Sequence, residues 1–152
     1  MASPAIELRN VSLSFDSEVL LENINLSIAT GEAFVLIGPS GQGKSTILKL
    51  MAGLIEPTSG EVFIEGKSRK TMRSSERDEI AHKTGMLFQK NALFDSLSAF
   101  DNVAFPLREV VHATESEIEP IVTRYLDAVG LAHARELFPD EISGGMQKRL
   151  GI

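Results

Sequence analysis

Nine residues, Gly38-Pro39-Ser40-Gly41-Gln42-Gly43-Lys44-Ser45-Thr46, constrain this chain more than any other stretch. They fit the spacing G-x-x-x-x-G-K-[ST], which at ordinary residue frequencies arises in roughly one chain of this length in 200. The flanks narrow the reading further. A continuous apolar run, residues 33–37, precedes the match; Ile47, Leu50, Met51 and Leu54 follow at i, i+3, i+4 and i+7. The first reads as a strand covered on both faces and the second as one apolar stripe of a helix. Strand, glycine-rich loop and helix start are the parts needed to cradle a phosphate. Glycines let backbone N–H groups converge on an anion with no side chain in the way. The helix start adds its free N–H groups and the positive end of its dipole. The expected ligand is ATP with Mg²⁺, with Lys44 on the β- and γ-phosphates and the Ser45 hydroxyl in the metal's shell.

The surrounding pattern is α/β. Val11, Leu13 and Phe15 alternate with serines as one strand, and Ile6 and Leu8 alternate in the opposite phase, which predicts a bulge or break near Arg9 and Asn10. Ile24, Leu26 and Ile28 predict a second strand, with a turn at Thr30-Gly31. Residues 61–65 and 86–88 are further short strand candidates, and residues 74–82 a short exposed helix. Past Gln89 the pattern becomes helical. Thr114 and Glu117 have capping-box spacing, Ile118, Ile121, Val122, Tyr125, Leu126 and Val129 line one face, and Gly130 stands at the helix end. The expected organisation is a single domain over residues 1–152, strand-rich over 1–89 and helical over 90–152.

Composition removes several function classes. Apolar residues make up 43% and charged residues 24%, ordinary for a globular chain, so disorder is a poor reading. A net charge of −6 with scattered cations argues against nucleic acid as a partner. Without cysteine there are no disulfides and no thiolate metal sites. The start MASPAIELRN lacks a basic segment leading into an apolar stretch, so no signal peptide is expected. No apolar run approaches the roughly 20 residues of a spanning helix, so any membrane link is expected to run through a partner.

A second glycine signal, Ile142-Ser143-Gly144-Gly145-Met146-Gln147, is weak alone. Following the phosphate loop and Gln89, it makes the chain resemble the ABC ATPase family over essentially its whole length. That family's signature usually reads Leu-Ser-Gly-Gly-Gln-Gln, so Ile142 and Met146 are mild departures. The resemblance implies a P-loop NTPase fold of the ABC ATPase type: an antiparallel β subdomain, an incomplete RecA-like core ending before the Walker B strand, and a helical subdomain. It implies a homodimer in which Ser143, Gly144, Gly145 and Gln147 contact ATP held by the partner's loop. Gln89 would be a Mg²⁺ ligand and a link to transmembrane permease subunits, and Phe15 an aromatic that stacks on adenine. The expected location is the cytoplasmic face of the inner membrane, held there through the permease and without direct insertion.

Residues 92–109, which contain Phe94, Leu97, Phe100, Val103 and Phe105, look like the branch that moves phospholipid between bacterial membranes. The family's Asp and Glu that organise Mg²⁺ and polarise water, and its switch histidine, come later than the signature. Asp140-Glu141 precedes the signature, and so do His82, His112 and His133. Residues 1–152 by themselves are therefore expected to hydrolyse ATP negligibly.

Overall fold

The computed structural model describes residues 3–16, 18–89 and 92–152. They form two compact units that divide between Gly85 and Met86.

The first unit is built on a four-stranded antiparallel sheet of order β2-β1-β3-β4. Its strands are β1 (Ile6–Phe15), β2 (Glu18–Ile28), β3 (Ser59–Ile64) and the two-residue β4 (Lys67–Ser68). The phase change in β1 is a bulge: register with β2 shifts between Leu8 and Val11, and Asn10 takes φ 49°. Leu8 and Val11 thereby both reach the core despite their odd spacing; each is essentially fully buried. Thr30-Gly31 forms the expected turn, with the Glu32 N–H on the Ala29 carbonyl at 3.2 Å. Two helices belong to this unit, α1 (Lys44–Met51) and α2 (Ser74–Lys83). Leu50 and Met51 of α1, with Ile47 beside them, pack on Leu8, Val11, Leu13, Leu21 and Val62 of the sheet. Full burial of side chains of this size contributes about 1.5–3 kcal/mol each, which makes this cluster the main support of α1.

Three expectations need correction here. Residues 33–37 form no strand: no described segment pairs with them, Val35 is 74% exposed and Ile37 91%. Residues 86–88 are likewise unpaired. A strand exists only through a neighbour's hydrogen bonds, and apolar character cannot supply one. The apolar stripe of α1 also stops early. The helix ends at Met51, Gly53 takes φ 69°, and Leu54 lies beyond it, 56% exposed.

The second unit is helical: α3 (Ala99–Glu109), α4 (Glu115–Ala128), 3₁₀ turns at Ala132–Ala134 and Pro139–Glu141, and α5 (Gly144–Leu150). Ser98 caps α3 by accepting from the Asp101 N–H at 3.0 Å, and the Glu117 carboxylate accepts from the Thr114 N–H at 2.8 Å at the start of α4. Ile118, Val122 and Leu126 of α4 meet Phe100 and Ala104 of α3, along with Leu131, Ile142 and Leu150. The Arg135 guanidinium lies 4.1 Å over the Phe100 ring and forms a bidentate pair with Glu119, with both N···O distances 2.6 Å. That pair fastens the segment leading to α5 onto both α3 and α4.

Candidate functional site

The loop before α1 has two of the three expected parts, glycines at positive φ and a helix start, and lacks the preceding strand. Gly41 and Gly43 take φ 81° and 76°, backbone that a side chain strains to adopt. Gly43 also stands where α1 begins, and the Ile47 N–H bonds to its carbonyl at 2.9 Å. A β-carbon there would sit 2.8 Å from Leu21 Cδ2 of β2, so the absence of one is what lets the loop lie against the sheet. The Lys44 ammonium turns back and donates to the Gly38 carbonyl at 2.8 Å and to that of Pro39 at 2.5 Å. This sets one positive charge across the mouth of a loop whose backbone already favours anions. Ser40, Gly41, Gln42 and Ser45 are exposed, and Thr46 is half-buried on the helix. The Ser45 hydroxyl makes no hydrogen bond among the described residues, so its oxygen is free to serve as a ligand for a hard cation beside bound phosphates; that donor set suits Mg²⁺.

Phe15 ends β1 and is 56% exposed. Its register partner Glu18 lies two residues before Leu20, and Leu20 and Leu21 are the side chains nearest Gly43. The ring therefore stands at the loop end of the sheet, about 7–10 Å of strand away.

The remaining candidates belong to the second unit. Gln89 is exposed in a turn. Ser143 caps α5, its hydroxyl accepting from the Met146 N–H at 3.3 Å, and nothing stands within 4 Å of a β-carbon built on Gly144. Ser143, Gly144 and Gly145 thus leave the start of α5 open. Gln147 differs: its side-chain amide is half-buried and donates to the Pro139 carbonyl at 2.6 Å. In this arrangement Gln147 braces α5 against the preceding turn. Arg149 does the same from the helix's other side, reaching the Val129 carbonyl at 2.6 Å. The sequence carries no local signal for either bond.

The segment after Gln89 holds two further surprises. Phe94 and Phe105 are both exposed by more than a third and pack against each other, with ring centroids 4.6 Å apart and planes tilted by 45°. Behind them Asn102 serves as a hub. Its Oδ1 accepts from the Phe94 N–H at 2.8 Å, while its Nδ2 donates to the carbonyls of Phe94, Leu97 and Ser98 at 3.0–3.1 Å. Among the described residues no group of His, Cys, Asp or Glu side chains converges as a metal site, and no helix is long and apolar enough to cross a membrane.

A glycine-rich anion loop opening a helix on an α/β unit, together with a helical unit that presents Ser-Gly-Gly, defines the ATP-binding cassette class of P-loop proteins. Comparison with known proteins agrees: the family model described as ABC transporter matches residues 21–152, and the chain belongs to that family. It is 42% identical over 147 residues to the intermembrane phospholipid transport system ATP-binding protein MlaF of Haemophilus influenzae, covering 97% of this chain and 56% of that protein. It is 46% identical over 148 residues to the probable ribonucleotide transport ATP-binding protein mkl of Mycobacterium leprae, covering 97% and 43%. The chain thus spans about half the length of the curated relatives it matches. Among solved structures it resembles a dimeric ATP-binding cassette in a post-hydrolysis state bound to ADP and Pi, with TM-score 0.81 and 31% identity over 96% of this chain and 66% of that one. The architecture is that of the ABC ATPase cassettes.

Proposed function

We propose that this chain is the nucleotide-binding part of an ABC transporter ATPase, and that the whole protein couples ATP binding and hydrolysis to movement of phospholipid between membranes. The observation that carries the reading is the loop at the head of α1, with the Lys44 ammonium poised over the Gly38 and Pro39 carbonyls. An arriving polyphosphate exchanges those two neutral carbonyl acceptors for charged oxygens, and the ammonium gains the attraction of opposite charges at hydrogen-bond distance. Backbone N–H groups of Gly41, Gly43 and Lys44 complete the cradle, the Ser45 hydroxyl would hold Mg²⁺, and Phe15 stacks on the base. The metal, when bound, neutralises charge on the phosphates.

Ser143, Gly144 and Gly145 act in trans, on the nucleotide held by a second copy of the subunit. Two-fold symmetry then gives two equivalent sites, and nucleotide favours the closed dimer. The dimeric solved cassette supports an assembly of two copies. The name of the MlaF relative supports the phospholipid assignment. A place at the cytoplasmic face of the inner membrane, through permease subunits, belongs to the same proposal. The mycobacterial relative's different name makes the cargo the part that most needs an experiment.

Calorimetry with magnesium ATP tests the loop. Wild-type protein should release heat, and Lys44→Ala should bind at least tenfold more weakly, the equivalent of about 1.4 kcal/mol. Wild-type affinity in that variant would remove Lys44 from the site. Labelled phospholipid moved between vesicles by the assembled transporter, set beside ribonucleotide uptake, decides the cargo.

A further inference from the structure

A cleft of about 570 Å³ lies in the first unit, lined by residues 56–62 and by Arg69, Lys70 and Arg77; none of the loop residues 38–46 borders it. Its charges do not balance. Three cations face two carboxylates, Glu56 and Glu61. Glu61 already accepts from the Ser68 hydroxyl at 3.0 Å. Glu56 is shared, 3.4 Å from Arg69 and 3.8 Å from Arg77. Lys70 has no ion pair among the described residues.

Arg69 is only 8% exposed. It reaches the end of α1, where Nη2 donates to the Gly53 carbonyl at 2.9 Å. Its guanidinium fills the space a side chain would take, since a β-carbon on Gly53 would collide with it. Even so, the Nε–H of Arg69 has no acceptor, and neither does that of Arg77. Among the described residues these are the buried side-chain donors left unpaired; both arginines line this one cleft, with their Nε atoms screened from solvent behind the rest of the guanidinium. An unmet buried donor is costly, and folded proteins rarely leave one unanswered. Arg77 Nη2 also donates to the Arg69 carbonyl at 2.9 Å, so the surplus lies in Lys70 and in two guanidinium groups that share one carboxylate, a lining that favours an occupant that is anionic and rich in acceptors. A tetrahedral oxyanion matches an arginine fork in a bidentate way.

We infer that this cleft is a second oxyanion site, distinct from the nucleotide loop, in which Arg69, Lys70 and Arg77 take a phosphate-type anion. The anion draws both forks from the shared Glu56 onto itself. Inorganic phosphate and the phosphate of a lipid headgroup present the same chemistry. The site stands at the C-terminal end of α1 while the nucleotide loop stands at its N-terminal end, about 12 Å away along an eight-residue helix.

The test uses the full-length protein with a non-hydrolysable magnesium ATP analogue in the loop and ¹⁵N spectra of the arginine side chains. Titrated inorganic phosphate should move the Arg69 and Arg77 Nε–H signals saturably, whereas chloride at equal ionic strength should not. Arg77→Gln should raise the midpoint about tenfold, and the response should persist in Lys44→Ala without the analogue. Lys70→Gln, on a more exposed wall, repeats the test should Arg77→Gln fold poorly. A parallel arm sediments the protein with phosphatidic acid vesicles and with phosphatidylcholine vesicles. Retention on phosphatidic acid alone that falls in Arg77→Gln, with no response to inorganic phosphate, assigns the site to lipid phosphate. A response to neither probe overturns the inference, as does one abolished by Lys44→Ala and kept in both cleft variants.

Discussion

One asparagine holds the segment that follows Gln89. Asn102 sits in the first turns of α3 and satisfies four backbone groups of residues 94–98 with a single side chain. The geometry uses both ends of the amide, an acceptor facing one N–H and a donor facing three carbonyls. Asn102→Asp keeps the shape and the acceptor, removes both N–H donors and sets a negative charge beside those carbonyls. The helical unit should lose roughly 2–3 kcal/mol of unfolding free energy, read from the midpoint and slope of a urea titration. The amide of Phe94 should also exchange with solvent faster. An unchanged urea midpoint would show that the hub is dispensable. Lys44 makes the opposite case: its two bonds to loop carbonyls are ones that the bound nucleotide is meant to replace.

Between elements, the tie from β4 to α2 is ionic. Lys67 Nζ lies 2.8 Å from Glu76 Oε1, and the same carboxylate accepts from the Arg73 N–H at 3.1 Å, at the start of α2. The Lys67 bond first, and the backbone bond second, hold the Glu76 carboxyl down from its ordinary 4.5 to about 2. Because the folded value is depressed, the tie is fully present above pH 4.5 and disappears as pH falls through about 2. An NMR titration should find the Glu76 midpoint near 2, moving back toward 4.5 in Lys67→Met. A midpoint that stays near 2 in the variant would give the shift to the Arg73 backbone instead. The helix starts follow the same logic with shorter reach, as at Thr114 and Glu117, where the bonds that end the preceding loop also open the helix.

On the scale of the whole chain, apolar surface is left uncovered. Val35 and Ile37 stand almost bare, and Leu54, Leu87 and Phe88 are also exposed. An unpaired apolar segment attracts other chains. Residues 1–152 in isolation should therefore self-associate as concentration rises, seen as early elution on size exclusion; a sharp monomer peak at every concentration would contradict this. The same residues hold a phosphate loop and a candidate metal ligand, two of the three parts on which phosphoryl transfer depends. Their ATP turnover should be negligible in a steady-state phosphate-release assay, and turnover at the rate of a complete ABC ATPase would refute that.

The features legible in the amino-acid sequence were those whose cause is local. The positive-φ glycines of the loop, the Thr30-Gly31 turn, the Thr114 cap, the bulge beside Asn10 and the Ile118, Val122 and Leu126 stripe of α4, from which Tyr125 departs at 52% exposed, each rest on residues within a few positions of one another. Spacing, positive φ and helical period act over that range, so a string of letters carries them. Tertiary structure alone decided the rest. Residues 33–37 have strand chemistry but no partner, Gln147 spends its amide on Pro139 eight residues back, and Arg69 finds the Gly53 carbonyl across sixteen. Hydrogen bonds and charges choose whatever partner the folded chain brings within 3 Å, and that choice becomes visible only once the units have formed.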